Sequence, residues 1–96
     1  MRDDEHSYFA EIQGDINRTS VELLLIDADV ALTFISIAET AEGRETVERN
    51  IHNARKAHDS IQHLRVRYIL TDTQTKTLNS RVLEVRRRLE ALGEKL

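Results

Sequence analysis

Toward the C-terminus Thr75 and the apolar Leu78, Val82, Val85, Leu89, Leu92 and Leu96 recur at alternating steps of three and four. That spacing is the a/d repeat of a helix with one buried stripe. The positions around it (Lys76, Glu84, Arg86, Arg87, Arg88, Glu90) are charged. Further upstream, Val47, Ile51, Ala54, Ile61 and Tyr68 share one helical face bordered by Ala57 and Leu64, and its two polar members are His58 and Arg65. The N-terminal part follows another rule. At about 100° per residue, Glu22, Asp29, Thr33, Ser36 and Thr40 form a polar stripe, while apolar residues from Leu23 to Ala38 fill nearly everything else. An ordinary bundle helix needs a narrower apolar arc, so this one asks for cover beyond the two other helices of its own chain.

Two places carry the chemistry of helix ends. Ala41-Glu42-Gly43 ends the first pattern, with Gly43 suited to a left-handed residue after a helix. Thr71…Gln74 is a capping box, which starts the last helix directly after Leu70. The reading is three helices: one up to about Ala41, one from about Arg44 to Leu70, and one from about Asp72 to Leu92 or beyond. Connections this short predict antiparallel neighbours. Between Glu5 and Arg18 two signals conflict. Phe9, Ile12 and Ile16 are in phase with Leu23, Val30 and Ile37, which favours one continuous helix. Gly14 and a second capping box, Thr19…Glu22, favour a break. A continuous helix would outrun the second by several turns and leave Tyr8, Phe9 and Ile12 needing cover.

Composition agrees with an all-α fold. The 96 residues contain no proline, no tryptophan, three glycines and four aromatic residues, too little punctuation for a many-turned fold. The length predicts one domain, residues 1–96. The absence of cysteine excludes disulfides and fits a reducing compartment. An acidic N-terminus with no apolar run behind it argues against a secretory signal, and the apolar stretch 23–38 is too polar and short for a span. The expectation is a cytoplasmic protein away from membranes.

Net charge is −3, but residues 1–43 hold ten acids against two bases and residues 44–96 hold twelve bases against seven acids. Arg65, Arg67, Arg81, Arg86, Arg87 and Arg88 are therefore candidate phosphate contacts. Without interleaved aromatics or a recognition motif, nucleic acid is disfavoured against an acidic helix lying beside basic ones. No cofactor or metal is implied: Glu48…His52 and Asp59…His63 are flank pairs, and no Glu-x-x-His is present. Lys56 to Leu64, with the dipeptide His58-Asp59, faintly resembles the phospho-accepting box of histidine kinases, although the spacing to the following Gln-x-Leu departs from that pattern. The resemblance implies a phosphotransfer hairpin with an exposed His58, whereas the helical face places His58 in the core.

The sequence therefore predicts an antiparallel, up-down-up three-helix bundle. It would dimerise through its long first helix and serve as a non-enzymatic interaction or assembly module, with a further protein partner allowed. It also predicts one buried polar pair. If the first turn is centred near residues 42–43, position i of the first helix lies beside about 85 − i, which sets Asp27 against His58. A buried carboxylate needs such a partner.

Overall fold

The computed structural model describes residues 2–96, with side chains from Glu11 onward. Tyr8 and Phe9 lie outside the described side chains. Three helices pack together: α1 (Arg2–Thr40), α2 (Arg44–Leu64), extended by a 3-10 turn at Arg65–Arg67, and α3 (Asp72–Ala91). No strand is present among the described residues.

The continuous reading of α1 holds. Gly14 sits inside it with open space around its Cα, and Thr19…Glu22 does not start a new helix. A mid-helix glycine costs about 1 kcal/mol, too little to break a helix whose apolar positions stay in phase on both sides. With 39 residues against 21 and 20, α1 gives the molecule its 63 Å length.

The second helix is shorter than the pattern suggests, because Tyr68 adopts extended backbone (φ −121°, ψ 157°). A side chain compensates for the helical bonds lost there. The amide of Asn17 donates to the Ile69 carbonyl at 2.9 Å and accepts from the Ile69 N–H at 2.8 Å, fastening the α2–α3 corner to α1. The Thr71/Gln74 capping box forms in full, with both reciprocal bonds present. The glycine expectation is corrected. Gly43 (φ −81°, ψ 127°) caps the start of α2 in extended backbone, and the left-handed residue is Gly93 (φ 99°) after α3. There Glu94 N–H reaches Leu89 O and Gly93 N–H reaches Glu90 O, the paired bonds that close a helix around a left-handed glycine.

The core forms two adjoining clusters, Leu24, Ala28, Ile61, Leu78 and Val82 at one level and Ala31, Ile35, Ala54, Val85 and Leu89 at the next. The predicted α3 stripe supplies Leu78, Val82, Val85 and Leu89, all buried. From α1 the buried residues are Val21, Leu24, Ala28, Ala31, Ile35 and Ala38, again spaced by threes and fours. Half of them are alanines, whose small side chains let α2 and α3 approach the α1 axis closely.

Candidate functional site

Two arrangements stand out: the face of α1 turned away from the core, and a polar cluster around His58.

The outward face of α1 carries Ile16, Leu23, Ile26, Val30 and Ile37, each 41–53% exposed. Ile16, Leu23, Val30 and Ile37 repeat every seven residues, and Thr19, Ile26, Thr33 and Thr40 fill the intervening d positions. α1 thus bears a second a/d stripe, about 36 Å long from Ile16 to Thr40, opposite the one it buries. Thr33 Oγ1 donates to the Asp29 carbonyl (3.1 Å) and Thr40 Oγ1 to the Ser36 carbonyl (3.0 Å). With their hydroxyls bonded inside the helix, these threonines offer methyl groups outward, and covering them would orphan no donor. On one side the stripe is edged by Asp15, Glu22 and Asp29. Arg18 pairs with Asp15 (3.1 Å), and Arg81 from α3 pairs with Asp29 (3.3 Å) while donating to the Leu25 carbonyl (3.1 Å).

His58 is buried (4% exposed), as its face predicts. Its partners differ from the sequence reading: Nδ1 lies 2.9 Å from Asp59 Oδ1 and Nε2 lies 3.2 Å from Arg86 Nη1. A guanidinium can only donate, so Nε2 accepts and Nδ1 carries the proton that it gives to Asp59. No hydrogen bond joins Asp27 to His58 among the described residues. The rotation of α1 differs from the one that pairing requires. Its inner face centres on Ala28 and Ala31, which leaves Asp27 half-buried at the edge of a small hollow with Ser20, Leu23, Leu64 and Tyr68. The hydrogen bond from His58, with Arg55 adding its charge, holds the Asp59 carboxyl below its ordinary range against the opposing effect of partial burial. With both ring nitrogens engaged and the ring buried, His58 lacks the solvent-facing nitrogen that a phospho-acceptor needs.

The four remaining candidate arginines each have a side-chain partner, but only two of them a carboxylate. Arg88 binds Glu39 side-on through Nε and Nη2, with Nε–Oε2 at 3.2 Å, and Nη2 also reaches Ser36 Oγ (3.1 Å). This pairing lowers the Glu39 pKa and raises that of Arg88. Arg87 grips Glu84 at 2.6 Å. Arg65 meets Gln62 and Asn79, and Arg67 meets His63, so neither pairs with a carboxylate among the described residues. The six arginines do not form one basic stripe. No group of three or more metal-ligating side chains is gathered among the described residues. No described helix is long and apolar enough to cross a membrane.

No family model, curated protein or solved structure matches this chain.

Sequence reasoning missed Ile26 as part of a second stripe, Arg86 as the His58 partner and Asn50 as a buried residue. Asn50 satisfies its amide by donating to the Thr46 carbonyl at 2.8 Å. The Ile16-Leu23-Val30-Ile37 repeat was a readable signal for the first. A pairing between α2 and α3 such as His58–Arg86 leaves no local trace in the sequence.

Proposed function

We propose that the chain is a non-enzymatic helical assembly module, an up-down-up three-helix bundle that joins a second copy of itself through the outer face of α1. The topology draws support from cross-helix contacts. The end of α2 returns to Asn17, while Arg81 and Arg88 of α3 meet Asp29 and Glu39, advancing along α1 in the same direction. The reading is carried by five large aliphatic side chains left half-exposed on a helix whose opposite face is already packed. Covering each gains on the order of 1 kcal/mol, and monomers rarely leave so long a stripe uncovered. A phosphate-binding role would require a free basic stripe, and Arg81, Arg86, Arg87 and Arg88 are instead tied to Asp29, His58, Glu84 and Glu39.

Light scattering at micromolar concentration tests the reading. The chain should return about twice 11.1 kDa, and Leu23→Glu with Val30→Glu should return 11.1 kDa with unchanged helicity. A wild-type mass of 11.1 kDa would contradict it.

A further inference from the structure

Resting on that reading, we infer that the two copies run antiparallel, and that the Arg67 corner of each docks on the acidic α1–α2 turn of the other. Three observations converge on this arrangement.

The first is layer complementarity. In an antiparallel pair each a position faces a d position of the partner, and equal rise keeps the sum of facing residue numbers constant. A sum of 56 sets Ile16 against the partner's Thr40, Leu23 against the partner's Thr33 and Ile37 against the partner's Thr19. Ile26 meets the partner's Val30 on either side of the twofold axis. Every large side chain beyond the centre then meets a threonine, so large and small alternate along the interface. A parallel pair would stack threonine on threonine at Thr19, Thr33 and Thr40, leaving thin layers.

Charge beside the stripe is the second. A parallel pair brings Glu22 of each copy against the partner's Asp27, a like-charge contact made twice. The antiparallel pair brings like charges together near the axis, where Arg81 already neutralises Asp29 and the Asp27 carboxylates are the remaining contact, and at each end, where Asp15, already paired with Arg18, comes level with the partner's Glu42.

The third is the pair of ends. Arg67 lines an open hollow of about 480 Å³ together with Gln13, Ile16, Asn17 and Ile69, so the α2–α3 corner adjoins the N-terminal end of the stripe. Ile69 and Val66 on this corner are 83% and 82% exposed. At a sum of 56, the level of residues 13–17 faces residues 39–43 of the partner, where the last turn of α1 carries no basic residue and Glu42 is exposed. The corner thus offers a guanidinium and two uncovered aliphatics to a helix C-terminus that carries negative charge. Parallel pairing would set each corner against its own copy.

Because the chain has no cysteine, engineered cysteines report the orientation directly. Thr19→Cys with Ile37→Cys should form a covalent dimer on oxidation, and Ile37→Cys alone should not. Self-crosslinking of Ile37→Cys alone would establish parallel pairing and overturn this inference while leaving the assembly reading intact. A monomeric wild type would instead remove both. In a second arm, Arg67→Glu should weaken the dimer about tenfold, and adding Glu42→Arg should restore it. If Arg67→Glu leaves the dimer unchanged, the corner is free for a phosphate-bearing partner and the docking is wrong.

Discussion

The inner and outer stripes of α1 have the same period and opposite fates. The inner one, built on Val21, Leu24, Ala28, Ala31, Ile35 and Ala38, is buried by α2 and α3, and the outer one, built on Ile16, Leu23, Ile26, Val30 and Ile37, is not. The outer stripe has the larger side chains. Hydrophobicity alone therefore does not choose which face a helix buries within its own chain. Two helices must fit against α1 at once, and the alanine-rich face admits them at short interaxial distance. The bulkier stripe remains as the surface with most to gain from a further partner.

The sharpest way to break this comparison is to place the same charge on each stripe. Ile35→Asp, on the inner face, should unfold the protein, since an unpaired buried carboxylate costs several kcal/mol against a total stability of about 5–15 kcal/mol. Val30→Asp should keep its far-ultraviolet dichroism and melt as a folded monomer. Similar losses of helicity in the two variants would mean that the two faces are not distinct.

A smaller effect sharpens the rotation of α1 against its neighbours. A double-mutant cycle between His58 and Arg86, read from chemical denaturation, should give a coupling of about 1 kcal/mol, the value of a buried hydrogen bond. The cycle between His58 and Asp27 should be additive within about 0.5 kcal/mol. The reverse ordering would restore Asp27 to the inner face.

The smallest effect concerns pH. Glu39 and Asp59 have folded pKa values below their ordinary ones, through Arg88 and His58 respectively. Their stabilisation is complete above the ordinary carboxylate values and is lost as pH falls through the depressed ones. The melting temperature should drop below about pH 4.5, and Glu39→Gln should reduce that drop. An unaltered acid profile in the variant would remove the Arg88 pairing from the account.

Much of the fold was legible, since local signals carry local structure. The α3 stripe, the capping box at Thr71 and the in-phase residues flanking Gly14 each specify one helix without reference to the others. The early end of α2 was not legible, because it depends on Asn17, 52 residues away, taking over the backbone bonds of Ile69. The Asp27–His58 pairing failed for a related reason. Periodicity marked most of α1 as apolar, and with so wide an arc its centre does not identify the inner side. Packing against two helices made that choice, and His58 found Arg86 on a helix that the register rule did not include.

The most direct measurement of the central claim is thiol labelling of single-cysteine variants on the outer face of α1 and on α2. Labelling of Val30→Cys should slow as protein concentration rises through the dimerisation range, while His52→Cys, exposed on α2, should label at one rate throughout. Equal and concentration-independent rates at the two positions would show that nothing covers the outer stripe of α1.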